Sequence, residues 1–430
     1  MKFYSTNNVS HISDLKSAVL NGLAPDKGLY MPEVIPELSQ DFWGRLPDLS
    51  LGEIGFEVLK PYFCPDIPEA KFKTLTAEAF NFPIPLKKVS DNISVLELFH
   101  GPTLAFKDIG ARFLARVMAQ FTEGLDKTIN VLVATSGDTG SAVANGFLGV
   151  EGVKVFVLYP KGLVSEVQEK QFTTLGQNIT AIEVDGTFDD CQALVKTAFM
   201  DEALREQLIL TSANSINLAR FLPQMVYYFY AYAQAVKKGI KEISISVPSG
   251  NFGNLTAGLI AQQMGLPVKQ FIAATNINDI VPKYLESGIY TPAPSIATPA
   301  NAMDVGDPSN FVRIRELFKE NIVDIRSYIK GFTCENETIF KTIESVYEQF
   351  NYELDPHGAI AYHSLAQLLI GNEHGVFLAT AHPAKFPETV EKLIGKEIEQ
   401  PDRLKEFMKG EKRVESSTNN YESFKSLLTN

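Results

Sequence analysis

Cysteine is almost absent. The 430 residues contain three, Cys64, Cys191 and Cys334, far apart and without a CxxC pair. That argues against a disulfide framework and against a structural zinc site, and it points to a reducing, cytoplasmic setting. Histidine is nearly as scarce, with six residues and no HExxH. His357 and His363 do not have the spacing of a metal pair on one helix face, so no metal is expected. No stretch approaches ~18 continuous apolar residues, and the N-terminus, MKFYSTNNVSHISD, lacks a signal-peptide core, so no membrane partner is expected. A basic excess is also missing. Lys plus Arg is 39 against 51 for Asp plus Glu, a net charge of −12. Such a chain repels a phosphodiester backbone, which sets nucleic acid aside as a partner. An anionic small molecule would need a local basic pocket.

What remains is a chain of globular composition, 45% apolar and 21% charged, long enough for two or three domains of ~150 residues. The first 80 residues are short elements broken by Pro and Gly, and they read as a separate N-terminal module. Within it GLAPDKGLYMPEVIPEL reads as loop and SLGEIGFEVLKPYF as a short helix ended by Pro61. From residue 81 to 430 the pattern changes. Strand-like runs SVLELF, TINVLVAT, VKVFVLYP, EISISVP, VKQFIAAT and GVFLAT alternate with helical segments, among them IGARFLARVMAQFTEG (109–124), SAVANGFLG and NLTAGLIAQQMG. Short apolar strands alternating with helices predict βαβ units and buried, mostly parallel sheets. The expected class is α/β: two open α/β subdomains, a smaller one around 105–220 and a larger one from the remainder, beside the small N-terminal domain 1–80.

Two loops of like form, Ser136-Gly137-Asp138-Thr139-Gly140 and Ser249-Gly250-Asn251-Phe252-Gly253, share S-G-x-x-G. Each lies between a strand and a helix, where free backbone N–H groups and the helix dipole favour an anion. Gly250, Asn251, Gly253 and Asn254 make a plausible phosphate cradle. The hydroxyls of the first loop suit a carboxylate or a second phosphate. One such loop alone is more often structural than functional; two at matching positions strengthen the case. Other phosphate and nucleophile signatures do not fit. There is no GxxxxGK[ST], neither loop spells GxGxxG, and GxSxG is absent around both loop serines. Lys107 sits between Phe106 and Asp108 at the start of an apolar helix. A desolvated lysine there has a lowered pKa and becomes a nucleophile suited to a Schiff base. On position alone, a solvated helix-start lysine is the more ordinary reading.

HGPTLAFKD, ATSGDTGSA and VPSGNFGN taken together resemble the threonine synthase family of the bacterial and yeast type, pyridoxal-phosphate enzymes similar to the tryptophan synthase β-chain (fold type II). The resemblance runs nearly end to end, through GLAPDKGLYMPE, SANSINLARFLPQ, NAMDVGDPSNF, DPHGAIAY and ATAHPAKF. It implies pyridoxal 5'-phosphate as cofactor and conversion of O-phospho-L-homoserine and water to L-threonine and phosphate. It also implies that Lys107 holds the cofactor covalently and shuttles protons. Ser249, Gly250, Asn251, Phe252, Gly253 and Asn254 would bind the cofactor phosphate, and Thr380 the pyridine nitrogen. Asp138 departs from the wider superfamily, which has Asn beside the cofactor's 3′ oxygen, and its contact stays open. Ser136 and Thr139 would take the substrate carboxylate; Lys161, Asn214 and Arg220 are candidates for the substrate phosphate. A monomer is expected, with a dimer as the alternative. Two other readings stay in view: a related β-eliminating or β-replacing enzyme such as threonine dehydratase or cysteine synthase, and a catalytically silent binder of a phosphorylated metabolite. The N-terminal module argues against the first and the lysine at 107 against the second.

Overall fold

The computed structural model describes residues 1–122 and 127–429. In chain order the strands are β1 (Phe3–Ser5), β2 (Ile12–Ser13), β3 (Tyr30–Pro32), β4 (Leu86–Lys88), β5 (Ile93–Glu97), β6 (Ile129–Ala134) and β7 (Val153–Pro160). They continue as β8 (Ile179–Asp185), β9 (Ile209–Ser212), β10 (Ile243–Pro248), β11 (Val268–Thr275), β12 (Ile329–Thr333), β13 (His374–Ala379) and β14 (Glu415–Thr418). They form three sheets. The N-terminal one is antiparallel, ordered β2-β1-β3. The largest, β12-β11-β10-β13-β5-β4, is parallel apart from its antiparallel edge strand β4. The third, β14-β8-β7-β6-β9, is parallel throughout. Strands β6 and β10 are buried along their whole length. Helices therefore cover both faces, which is why INVLVA and ISISVP carry no exposed polar alternation.

The α/β class of the sequence reading is the observed one. The segment 105–220 supplies β6 to β9, while the fifth strand of that sheet, β14, comes from the C-terminus and pairs with β8 from Glu415↔Ile182 to Thr418↔Asp185. Local details also differ. Pro61 does not end its helix, which runs Leu51–Phe63 with Pro61 inside. Pro forfeits only its own N–H bond and crowds the turn before it, so the chain completes one more turn, closed by Cys64 N–H to Lys60 O at 2.9 Å. The stretch read as loop holds β3, whose pairing with β1 is long-range and invisible to local pattern. The helix expected over 109–124 begins at Lys107 and is described to Thr122; Glu123 and Gly124 lie outside the described residues.

The N-terminal 80 residues are joined to the rest of the chain by aromatic packing. Phe113, on the helix Lys107–Thr122, meets Phe63 edge-on at 4.9 Å, Phe72 edge-on at 6.1 Å and Phe80 stacked at 5.8 Å between ring centroids. Phe63, Phe72 and Phe113 are fully buried. Phe113→Ala should cost about 3–5 kcal/mol, the usual loss for a buried Phe. A lowered urea midpoint checks it, and an unchanged midpoint would show that the module does not depend on this contact.

Candidate active site

Five segments that carry candidate site residues leave the carboxyl end of a strand: 98–106 after β5, 135–137 after β6, 213–217 after β9, 249–252 after β10 and 380–386 after β13. In open parallel sheets this edge is where ligands bind. The Lys107 loop is fastened to the segment after β13. Phe106 N–H donates to Thr380 O at 2.9 Å, His382 N–H donates to Leu104 O at 3.0 Å, and Ala105 pairs with Ala381 as an antiparallel bridge. Thr380 and Lys107 are thus set on adjacent strands of chain.

Lys107 is the first residue of its helix and keeps part of its surface accessible. Burial pulls its amine below the ordinary lysine range; Asp138 opposes this, while Lys385 and Arg220 add to it. Asp138 opens the helix Asp138–Phe147. Its Oδ1 accepts from Lys385 Nζ at 2.5 Å and from Gln168 Nε2 at 2.9 Å. Burial alone would raise its pKa, yet Lys385 and Lys107 hold it well below the usual carboxylate range. Asp108 accepts from Thr103 N–H at 2.8 Å and Thr103 Oγ1 at 2.7 Å, and burial pushes its pKa up.

The first glycine loop is organised by Thr135, whose Oγ1 accepts from Gly137 N–H at 2.9 Å and Gly140 N–H at 2.8 Å. Ser136 is exposed on this loop and Thr139 half-buried. In the second loop Ser249 is committed to the scaffold. Its N–H donates to Ala274 O at 2.9 Å and its hydroxyl to Val247 O at 2.9 Å. The Phe252 side chain packs edge-on against Phe311 at 5.9 Å, from a left-handed φ of 62°. Asn251 Oδ1 accepts from Ser309 Oγ at 3.0 Å. The side chains of Ser249, Asn251 and Phe252 therefore shape the loop itself. The first-turn N–H groups at 253–255 have no intrahelical acceptor, as at any helix start. Asn254 adds a side-chain donor. Its Oδ1 accepts from both Tyr227 and Tyr228 hydroxyls at 2.5 Å, and its buried Nδ2 has no protein partner.

Arg220 is 4% exposed, neither a surface residue nor paired with a carboxylate. Nη1 donates to Ala213 O at 2.9 Å while the buried Nε has no partner. Burial pulls its pKa down to about 10, against the charge of Asp108. The residue reaches the site because Gly110 lets the Arg220 backbone touch the Lys107 helix: a Cβ at 110 would sit 2.4 Å from Arg220 O. Asn214 is half-buried, and its Oδ1 is likewise without a partner. Lys161 shares none of these contacts. It is exposed in the turn after β7, and its charge acts on Glu183. Among the described residues no cluster of His, Cys, Asp or Glu could hold a metal ion, and no helix is long and apolar enough to cross a membrane.

Residues 56–381 match the pyridoxal-phosphate dependent enzyme family, residues 2–80 the threonine synthase N terminus and residues 358–428 the threonine synthase C-terminal family. The chain is 48% identical over 404 residues to threonine synthase from Haemophilus influenzae, covering 94% of each. Among solved structures it is similar to threonine synthase from Escherichia coli, at 42% identity and a TM-score of 0.93, covering 100% of this chain and 99% of that one. It also resembles the pyridoxal-phosphate-bound threonine synthase from Brucella melitensis, at 37% identity and a TM-score of 0.94, covering 100% and 98%. The chain belongs to the threonine synthase family. It is accordingly a pyridoxal-phosphate-dependent lyase of amino-acid biosynthesis.

The residues present fit that cofactor. An amine at a helix start, a glycine loop with an unpartnered buried amide N–H, and a neutral hydroxyl residue next to the lysine loop are the chemistry it needs. Sequence reasoning missed Lys385, Gln168, Thr135 and the tyrosine pair. Lys385 lay in plain view inside ATAHPAKF, but its partner Asp138 is remote in sequence. Gly250 offers a direct check on the cradle. A Cβ there would lie 2.5 Å from Ala302 O and 3.0 Å from Met303 Cα, so the loop backbone must move. Gly250→Ala should weaken cofactor retention at least about tenfold, ~1.4 kcal/mol, read from the visible band left after gel filtration. Full retention would place the phosphate elsewhere.

Proposed function

We propose that the chain converts O-phospho-L-homoserine and water to L-threonine and phosphate at this edge, with Lys107 as the reactive amine. The observation that supports this most is the setting of Lys107: a partly desolvated amine among Asp138, Lys385 and Arg220, where loops from both parallel sheets meet. Lys107 would hold the cofactor covalently, residues 249–254 its phosphate, and Thr380 its ring nitrogen as a neutral partner. Bound there, pyridoxal phosphate supplies the electron sink for charge developing on the substrate carbons.

The protein's own contribution is position and charge. Lys107 would take the Cα proton, release it, and take a Cβ proton in turn, the protons being returned to Cγ and Cα. It does so because burial has already weakened its hold on a proton of its own. Ser136 and Thr139, with the helix start behind them, would orient the substrate carboxylate. Arg220 and Asn214 would receive the phosphate that leaves Cγ. A buried guanidinium with an unused Nε is costly unless an anion completes it. Water then adds at Cβ. Lys161 remains the alternative cation for the phosphate, less favoured by its place beside Glu183.

Two variants test these assignments. Lys107→Ala should fall below about 1% of wild-type kcat/KM for phosphate release from phosphohomoserine, a loss above ~2.7 kcal/mol. The mass added by borohydride on the Lys107 peptide should vanish with it. Retained turnover would remove Lys107 from the mechanism. Arg220→Lys loses the forked donor geometry but keeps the charge. It should weaken phosphohomoserine and inorganic phosphate together by about tenfold, ~1.4 kcal/mol, with the cofactor's spectrum unaltered. Constants within about twofold of wild type would take Arg220 out of the phosphate pocket and bring Lys161 forward.

A further inference from the structure

We propose that Lys385 is a positioning residue for the proton transfers of Lys107: paired with Asp138, it cancels the carboxylate charge that faces the reactive amine and so leaves that amine free to lose and regain a proton. The inference rests on the reading of Lys107 given above.

The geometry is that of a closed buried pair. The Lys385 side chain is fully buried, with Nζ 2.5 Å from Asp138 Oδ1 and 2.9 Å from Thr103 O. Gln168 Nε2 reaches the same carboxylate oxygen at 2.9 Å. Thr103 O also accepts from Gln171 Nε2 at 3.1 Å. Lys385 thus ties Asp138 to the loop that carries Lys107.

The charged groups facing Lys107 come from four elements. Its own helix brings Asp108, whose oxygens accept from Thr103 N–H and Oγ1. The helix Asp138–Phe147 brings Asp138, the helix Leu218–Phe221 brings Arg220 and the segment Pro383–Lys385 brings Lys385. The ring of Phe106 lies 5.9 Å from the ammonium. Of these, Asp138 is the group that favours a charged Lys107, while Lys385 and Arg220 oppose it. An unscreened carboxylate in such a site would hold the neighbouring amine as an ammonium. Lys385 removes that bias. The two positions depend on one another, since an uncharged residue at 138 would leave a buried ammonium at 385 without a counter-charge.

A pair that merely braced the Thr103 loop would give no signed effect on titration, and this separates the two roles. The measurement is the pH midpoint of the visible band in the cofactor-loaded protein, together with the acidic limb of kcat, for Lys385→Met, Asp138→Asn, the double variant and Lys385→Arg. Lys385→Met should move both upward by about one pH unit, a tenfold change in proton affinity. Asp138→Asn should move them downward. The double variant should return to within about 0.3 unit of wild type, and Lys385→Arg should stay near wild type. Should Lys385→Met not load cofactor, the step from Asp138→Asn to the double variant carries the same test, because loss of Lys385 must still raise the midpoint. Shifts of one sign in both single variants, no shift in either, or a double variant that fails to return would overturn the proposal. A borohydride adduct found on a residue other than Lys107 would instead overturn the reading beneath it.

Discussion

An amine withdrawn from water prefers to be neutral, and an amine beside a carboxylate prefers to be charged. The site lives on the balance of those two tendencies at Lys107. Burial and the neighbouring Lys385 and Arg220 pull one way, Asp138 the other. The chain as a whole is acidic, at −12, yet at this edge three cationic side chains gather with two carboxyls. The reaction must accommodate two phosphates and a carboxylate, so the local field, and not the net charge, decides what binds. Helix starts at 138 and 253 add to that field without adding titratable groups.

Bringing those groups together is a matter of backbone approach. Gly110 lets the Arg220 segment touch the Lys107 helix, and Gly250 lets the turn at 302–303 touch the second glycine loop; at each a Cβ would lie 2.5 Å or less from a carbonyl oxygen. The Ala105–Ala381 bridge then locks the lysine loop to the segment after β13. These contacts leave little slack between Lys107 and Thr380. The proton transfers proposed for Lys107, at two adjacent carbons, would require that rigidity.

How much of this was legible depended on the range of the interaction. Strand–helix alternation, the two S-G-x-x-G loops and the lysine after a Gly-Pro turn are local patterns, and the structure brings those segments to the carboxyl ends of strands. Asn254 and Arg220 were identifiable from the sequence only as residue types within their segments. That two tyrosines orient Asn254, or that Arg220 is buried without a carboxylate, depends on packing between segments. Lys385 was hidden for a different reason. A lysine between Ala384 and Phe386 has the local signature of a solvated residue, and only the remote Asp138 makes it a buried ion. Lys161 follows the carboxyl end of β7 as an exposed cation, and what its charge acts on, Glu183, lies on the neighbouring strand and is not announced by local sequence. The strand β14 is four residues of polar sequence, ESST, whose pairing with β8 no periodicity announces.

The N-terminal module enters the site through one buried charge. Arg313 is fully buried with no carboxylate partner, and burial pulls its pKa down to about 9. Carbonyl oxygens hold it instead: Tyr30 O takes Nε at 3.2 Å and Nη2 at 3.1 Å, and Ile216 O takes Nη2 at 2.7 Å. Asn310 Oδ1 takes Nη1, and the guanidinium lies 4.0 Å over the Phe221 ring. Tyr30 belongs to β3 in the N-terminal sheet, whereas Ile216 and Phe221 flank the Asn217–Arg220 turn. Asn310 in turn donates its backbone N–H to Asn251 O at 3.1 Å and its side-chain N–H to Ser215 Oγ at 3.2 Å. One guanidinium and one amide therefore join the N-terminal sheet, the loop carrying Asn214 and the loop carrying residues 249–254. A buried cation satisfied only by dipoles tolerates little displacement of any of them, because each lost bond exposes uncompensated charge. The module that looked like an appendage in the sequence is in this sense tied into the loops at 213–217 and 249–252.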